Sequence, residues 1–250
     1  MSKTSRATAL LVAIAWVLFL PSAFAQEPGP AIDPEARKVL KQMGTHIQSL
    51  KAFEISSDST SEYRLDNGML VERATRTTLV VQRPDRFRGT SVGDDRHQYL
   101  YLDGGVLTLY THKGRYYAQA DVPKSVSAGL EYALDEFGIE APLLDLLFDD
   151  ASERFVDGVE TASYLGKTQV RGVECHQVAL RDPAVDVQIW VATGKKPVMR
   201  KVVIADRWVT GSPKFTSIMD WNDSPKIEKK TFVFEPPEGS MEIQFTRTGR

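Results

Sequence analysis

Closely spaced strand patterns constrain this chain more than any other feature of its sequence. Between Phe53 and Asp121, segments with β-type alternation are separated by only a few residues, and turn signals such as Asp66-Asn67-Gly68 and Asp103-Gly104-Gly105 fall between them. A parallel pair of strands needs a crossover connection of a dozen or more residues, and these gaps contain none. The sequence therefore predicts antiparallel hairpins that follow one another in a meander.

The predicted strands fall into two blocks. The first block comprises Phe53–Tyr63, Met69–Gln82, Arg86–Gly93, Arg96–Leu102, Val106–Thr111 and Tyr116–Asp121. The second comprises Thr161–Val170, Gly172–Arg181, Val185–Ala192, Val198–Arg207, Phe215–Trp221 and two short segments, Phe232–Phe234 and Met241–Phe245. Because no stretch rich in Gly, Ser or Pro separates the blocks, we predict that both belong to one domain.

Helical periodicity precedes the first block and also lies between the two. Asp33-Pro34-Glu35 has the features of a helix start, and apolar residues then recur at helical spacing as far as Leu50. Ser125–Phe137 is a second predicted helix, and Leu143–Phe148 is apolar on nearly every face. Such a segment must be covered by protein or lie inside a hollow. We predict an α+β fold: a long antiparallel sheet packed on an N-terminal helix and a central helical insertion.

The N-terminus has the layout of a cleaved secretory signal peptide. Lys3 and Arg6 precede an apolar run, Ala7–Leu20, and Ala23-Phe24-Ala25 supplies small residues two apart. That run has 14 residues, whereas a membrane-spanning helix needs about 20. We therefore predict cleavage after Ala25, and export of the mature protein to the periplasm.

This interpretation divides the chain into four parts. They are a signal peptide at 1–25, a Pro/Gly linker at 26–32, a single domain at 33–246 and a flexible tail at 247–250. Because no cysteine follows the predicted cleavage site, a lipoprotein anchor is not expected there. The mature protein is predicted to be a monomer without a stable membrane anchor.

Composition and motifs exclude several functions. A net charge of -2 and a hydrophobic content of 42% do not fit a disordered chain or a polybasic protein that binds nucleic acid. The single cysteine excludes a disulfide framework and a multi-cysteine metal site. Cys175 and His176 are neighbours on a predicted strand, so their side chains point to opposite faces. With no nucleophile elbow and no phosphate-binding loop, we predict no catalytic residue, no cofactor and no metal site, and therefore no enzyme.

Four stretches, taken in order, resemble a domain of unknown function found in predicted periplasmic bacterial proteins. They are Tyr99–Gly104 with Leu107–Tyr110 and Tyr116–Ala118, Tyr164–Lys167 with Val170–His176, Val187–Trp190 with Lys196–Ile204, and Phe232–Gly239. The same order is distantly similar to the LolA/LolB-like lipoprotein-carrier superfamily. That resemblance implies an unclosed half-barrel, curved around helices that fill its concave side, and a concavity that holds acyl chains. It assigns no individual functional residue.

Together these features predict a non-enzymatic periplasmic protein that binds a lipid, or a lipoprotein acyl chain, on the concave face of the sheet. The candidate ligand-binding residues are Phe137, Leu143, Leu144, Leu147, Phe148, Trp190 and Arg200. Two interpretations of Arg200 remain open: it meets a lipid carboxylate, phosphate or ester, or it reaches a protein carboxylate or solvent at the end of the sheet. The alternative function is a protein-interaction or sensor module with the same fold, whose partner is a lipoprotein or envelope protein.

Arginines crowd the first block. They are Arg64, Arg73, Arg76, Arg83, Arg86, Arg88 and Arg96, and nearby acidic residues offset most of their charge. Mixed charges of this kind are typical of a solvated outer sheet face. The alternative is a site for an anionic headgroup or partner.

Overall fold

One long sheet organises the computed structural model, which describes residues 31–139 and 143–248. Its strands are β1 (Ala52–Arg64), β2 (Leu70–Gln82), β3 (Arg86–Gly93), β4 (His97–Asp103), β5 (Val106–Thr111), β6 (Tyr116–Asp121), β7 (Thr161–Val170), β8 (Val173–Arg181), β9 (Val185–Ala192), β10 (Met199–Asp206), β11 (Lys214–Asn222) and β12 (Met241–Ile243). The helices are α1 (Pro34–Ser49), α2 (Val126–Phe137), a 3-10 helix (Leu144–Leu147) and α3 (Ala151–Arg154).

The strand order is β12-β6-β5-β4-β3-β2-β1-β11-β10-β9-β8-β7. Each block is a meander, and pairing of β1 with β11 joins the two into one surface. Since β7 and β12 are the two ends of this order, the sheet is unclosed. The predicted α+β half-barrel is confirmed, with an N-terminal helix and a central helical insertion.

Local sequence signals account for the helix ends. The Asp33 carboxylate accepts a hydrogen bond from the Glu35 amide at 2.8 Å, and Ser125 Oγ accepts one from the Ala128 amide at 3.1 Å. Gly138 ends α2 in a left-handed conformation, φ 64°, which costs glycine little. In the ranges 31–139 and 143–248, no helix combines the length and the apolar character needed to cross a membrane.

All the helices pack on one face of the sheet, which we call the inner face; the opposite face is the outer face. The buried stripe of α1 includes Val39, Leu40, Met43 and Ile47. It joins the core with the inner-face residues Phe53, Ile55, Val81 and Met219 of the strands. Side chains alternate between faces along a strand, so odd-numbered positions of β1, β2 and β3 face the helices.

Two details differ from the sequence prediction. The predicted strand Phe232–Phe234 is wrong, because this segment forms a turn followed by irregular chain. Phe232 is nevertheless buried, and the Phe234 ring packs against Tyr101, Tyr110 and Tyr117 on the outer face. Two aromatic side chains that both pack against the protein, separated by one residue, imitate the alternation of a strand.

The other difference concerns the direction of β12. This strand pairs with β6 in parallel, whereas the short connections predicted an antiparallel sheet. β6 and β12 are separated in the chain by the helical insertion and by β7–β11, so the argument from short connections does not apply to this pair. The predicted signal peptide, its cleavage site after Ala25 and residues 26–30 of the linker lie outside the described residues, so the division of the chain into parts stays a prediction.

Candidate ligand-binding cavity

Two cavities lie between the inner face and the helical insertion. The first measures about 400 Å³ and is lined by Leu143 and Leu144 from the insertion. The second measures about 250 Å³ and is lined by Asp145 and Leu146. Consecutive residues of this short segment therefore line different cavities, and the 3-10 helix separates the first cavity from the second.

The deep wall of the first cavity is apolar. The sheet contributes Leu79, Phe87, Leu100 and Leu109, and the insertion contributes Ile139, Leu143 and Leu144. These side chains come from four neighbouring strands of the first block and from the chain that follows α2. They form a surface that favours hydrocarbon over water.

Beyond the apolar wall, hydroxyl groups line the first cavity towards the β1–β2 turn, and we call this the outer end of the cavity. They belong to Ser59, Ser61, Thr75, Thr77 and Ser91. Ser59 Oγ donates to Ser217 Oγ at 2.9 Å, and the oxygens of Thr77 and Ser91 lie 3.2 Å apart. This middle zone therefore offers hydrogen-bonding groups beside the hydrocarbon-like depth of the cavity.

Charged side chains complete the outer end of the first cavity. Arg73 Nη1 lies 2.7 Å from Asp95 Oδ2, and Arg96 Nε lies 3.3 Å from Asp95 Oδ1. The Arg73 guanidinium also lies over the Tyr63 ring, 4.0 Å from its centre. Partial burial opposes ionisation of Asp95, but the two arginines prevail and hold the pKa of its carboxyl below the ordinary value.

Arg73 and Arg96 thus line the outer end of the first cavity, so the prediction that they lie on an outer sheet face is wrong. Their side chains are still 43% and 52% exposed, so both remain in contact with solvent. Arg73 shares the odd-numbered register of Thr75, Thr77 and Leu79 on β2, which points it to the inner side.

The second cavity combines an apolar sheet wall with charged side chains, among them Asp157 and Asp182. Its sheet wall includes Val187, Ile189, Met199, Val202 and Ile204 from the second block, and α3 with the following turn supplies Arg154, Phe155 and Val159. Burial raises the pKa of the Asp145 carboxyl at this cavity, although Arg154 opposes the shift.

Arg83 fixes the insertion to the sheet. Its guanidinium donates to the Leu147 carbonyl at 3.0 Å and to the Asp149 carboxylate at 3.1 Å. The Arg83 side chain is only 14% exposed, and burial lowers its pKa, which Asp149 partly offsets. Gln48 of α1 and Ser127 of α2 add hydrogen bonds to the Asp149 backbone. Arg83, α1 and α2 therefore all hold the segment that separates the two cavities.

The structure separates the candidate residues of the insertion. Leu143 and Leu144 line the first cavity, whereas Leu147 and Phe148 are buried in the main core. Phe137, at the end of α2, stacks on Phe245 with ring centres 4.5 Å apart and does not line the first cavity.

Trp190 and Arg200 lie on the outer face. Trp190 belongs to a small outer cluster with Val170 and Cys175, and Lys201 lies over its ring at 4.5 Å. Arg200 Nη2 donates to Asp220 Oδ1 at 2.5 Å. A β-bulge between Met199 and Lys201 changes the alternation, so that Met199 joins Val202 in the inner core. Of the two interpretations of Arg200, the structure shows contact with a protein carboxylate.

Cys175 is expected to have no role in ligand binding. Its side chain is fully buried in the outer cluster, its Sγ lies 3.4 Å from the Val173 carbonyl oxygen, and burial raises the pKa of the thiol. We expect Cys175→Ser to leave ligand affinity unchanged.

We also expect the native Cys175 thiol to react with a soluble disulfide reagent at least about tenfold more slowly than the same thiol in urea, because little thiolate is present and access is blocked. Fast native labelling would contradict this placement.

Within residues 31–139 and 143–248, no group of three or more His, Cys, Asp or Glu side chains is arranged to hold a metal ion. The fold is a half-barrel with an amphipathic cavity of about 400 Å³ between its sheet and the helical insertion. The chain belongs to the family of predicted periplasmic proteins known as DUF2092, whose family model matches residues 36–246. This match confirms the predicted family resemblance. Comparison with curated protein sequences gives no match.

Several solved structures resemble this chain in backbone course. The lipoprotein LppX from Mycobacterium tuberculosis is 12% identical, with a TM-score of 0.46, over 78% of this chain and 100% of LppX. LprF from Mycobacterium bovis is 12% identical, with a TM-score of 0.44, over 79% and 97%. A LolA superfamily protein from Nitrosomonas europaea is 10% identical, with a TM-score of 0.39, over 80% and 97%. At such identities and scores, the likeness carries no information on ligands or partners.

Proposed function

We propose that this is a non-enzymatic periplasmic protein that binds a lipid, or the acyl chain of a lipoprotein, in the first cavity. The observation that carries the proposal is the cavity itself: about 400 Å³, with an apolar depth, a zone of hydroxyl groups and a charged outer end. The periplasmic location is supported by the description of the family and by the signal-peptide pattern.

The volume favours a binding site over imperfect packing. Ligand sites in proteins measure about 300–1,000 Å³, and protein cores normally contain only small voids. The first cavity lies within that range and is far larger than an ordinary packing void. Its outer end, beside the 43% exposed Arg73 side chain, is open to solvent, so a ligand could enter from there.

The distribution of polarity indicates how such a ligand would lie. Hydrocarbon would occupy the depth beside Leu79, Leu100 and Leu109, where it is removed from water. A polar headgroup would remain among the hydroxyls and near Arg73 and Arg96, which supply hydrogen-bond donors. A molecule with one polar end and one aliphatic end fits this order better than a uniformly apolar one.

Filling the cavity tests the proposal directly. Ser91 lies on the inner face in the middle zone, so Ser91→Phe would place a ring in the space that the ligand needs. We expect affinity for a dansyl-labelled fatty acid to fall at least about tenfold, because fewer apolar contacts remain for the chain. The matched control is Val92→Phe, which adds the same ring at the next residue on the exposed outer face and should leave affinity unchanged.

Native mass spectrometry of the protein purified from periplasm is the complementary measurement. We expect wild type to carry extractable lipid and Ser91→Phe to carry less. Equal probe affinity in wild type and Ser91→Phe, with both folded, would contradict binding in the first cavity. A protein that co-purifies in place of lipid would favour the interaction-module alternative.

A further inference from the structure

Five exposed apolar side chains lie at the tips of two hairpins. Leu65, Met69 and Leu70 belong to the β1–β2 tip, and Trp208 and Val209 belong to the β10–β11 tip. Trp208 is 79% exposed and Met69 is 56% exposed. A tryptophan this far out of the fold loses almost all of the hydrophobic stabilisation that it would gain by burial.

The two tips form one continuous surface, because β1 and β11 are paired up to Ser61 and Phe215. Arg64 ties the tips together: its Nε and Nη2 donate to the Thr210 carbonyl at 3.0 and 2.6 Å, and its Nη1 donates to the Gly68 carbonyl at 2.5 Å. These hydrogen bonds hold the five apolar side chains in fixed positions. We call the two tips together, residues 64–70 and 206–213, the hairpin tip.

The hairpin tip adjoins the charged end of the first cavity. Tyr63 and Arg73 line that cavity and lie one and three residues from the ends of the β1–β2 tip, Arg64 and Leu70. Phe215 lines it as the second residue of β11, which follows the β10–β11 tip. A surface in contact with the hairpin tip would thus face the outer end of the cavity.

We propose that the hairpin tip docks on the surface of a phospholipid bilayer, with Trp208, Met69 and Leu70 inserted at the boundary between headgroups and acyl chains. Tryptophan is enriched at that boundary, where its ring is apolar and its indole N–H stays hydrated. Shallow insertion of apolar side chains is the usual basis of interfacial binding. This docking goes beyond the proposed function; only its purpose, transfer of a lipid through the outer end of the cavity, rests on that function.

The size of the hairpin tip favours a membrane over a protein partner. A stable protein interface buries about 800 Å² on each side and uses about 20–30 residues of each partner. The tip offers five apolar side chains on two narrow turns, which is far less. A bilayer needs no complementary shape, since it deforms around a protruding group.

The charge of the hairpin tip predicts how the docking depends on salt. Between Arg64 and Leu70 and between Asp206 and Pro213 the tip carries two arginines and two aspartates, so its net charge is zero. Binding should therefore come from apolar burial, and it should change little with ionic strength.

Vesicle flotation and tryptophan fluorescence test the proposal. The protein is purified from periplasm, its N-terminus is determined, and it is mixed with vesicles of phosphatidylethanolamine and phosphatidylglycerol. We expect wild type to float with the vesicles and its emission to shift to the blue. Trp208 should dominate the shift, because Trp190 is buried and Trp221 Nε1 already donates to the Met199 carbonyl at 2.7 Å.

Substitutions separate the hairpin tip from other exposed apolar groups. The double variant Met69→Ser with Trp208→Ser should lower vesicle partitioning by about tenfold or more, since burial of a single large apolar side chain is worth about that factor. The matched control is Leu165→Ser, which removes a 53% exposed leucine from β7 at the far edge of the sheet and should partition like wild type.

The docking would be overturned if wild type did not float with the vesicles, or if Leu165→Ser lowered partitioning as much as the double variant. It would also be overturned by a blue shift that occurs without vesicles and grows with protein concentration. That result would indicate that a second copy of the chain covers the hairpin tip. Ser91→Phe distinguishes the two proposals. It should still bind vesicles, so failure of ligand binding in the cavity leaves the docking result unaffected.

Discussion

Leu147→Ala is expected to lower the free energy of unfolding by about 2–5 kcal/mol, the range measured for leucine truncation in well-packed cores. Leu147 is fully buried between the inner face and the helices, and it lines neither cavity. Its backbone carbonyl is also held by Arg83, so the segment cannot easily collapse into the new space. Urea unfolding followed by circular dichroism measures the loss.

The matched control for this prediction is Leu144→Ala, three residues earlier in the same 3-10 helix. Leu144 already borders the first cavity, so its truncation enlarges an existing space and loses fewer packing contacts. We expect a smaller loss of stability than for Leu147→Ala, with affinity for the dansyl fatty acid retained. If Leu147→Ala instead unfolded like wild type and bound more of the fatty acid, the 3-10 helix would be a plug that the ligand displaces, and not part of the fixed core.

The apolar insertion shows what its sequence could and could not predict. Leucines and a phenylalanine on nearly every face required that the segment be covered, and the structure confirms the central helical insertion that covers it. The segment is too short for periodicity to give a direction to each side chain. Whether a leucine borders a cavity or the core depends on α1, α2 and Arg83, which hold it from outside.

The β-bulge in β10 limited the prediction in another way. Strict alternation with a period of two would put Arg200 on the same face as Val202, but the bulge between Met199 and Lys201 places the two side chains on opposite faces. Nothing in Val198–Arg207 marks the bulge, because it has no glycine or proline within the strand. Trp190 lies on the outer face because it is paired with Gln177, which shares the face of Cys175 on β8.

The polar wall of the first cavity could not be recognised from sequence. In β1 the apolar alternation of Phe53 and Ile55 ends at Ser57 and Ser59, which occupy the same inner face. A serine beside a ligand cavity and a serine facing solvent look identical in a single sequence. The strands that carry this wall were predicted, whereas its location under the insertion depends on tertiary packing.

Gly44→Ala in α1 is expected to destabilise the protein, although alanine is the better helix former by about 1 kcal/mol. Gly44 is buried where α1 meets α3, and a Cβ built there would lie 2.3 Å from Ser152 Cα and 2.5 Å from Ser152 N. These are backbone atoms, so no side-chain rotation can relieve the overlap. We expect a net loss of about 1–3 kcal/mol, as for other overpacked sites, measured by urea unfolding.

Thr45→Ala is the matched control, because Thr45 is the next residue of α1 and faces solvent. With no overlap to resolve, its only expected effect is the few tenths of a kcal/mol that alanine gains in helix propensity. The two substitutions therefore have opposite expected signs on adjacent residues. In Gly44→Ala, α3 must also move away from α1, and α3 carries the Arg154 that lines the second cavity. A Gly44→Ala protein at least as stable as wild type would mean that the position of α3, and with it the wall of the second cavity, is not set by this close approach of the two backbones.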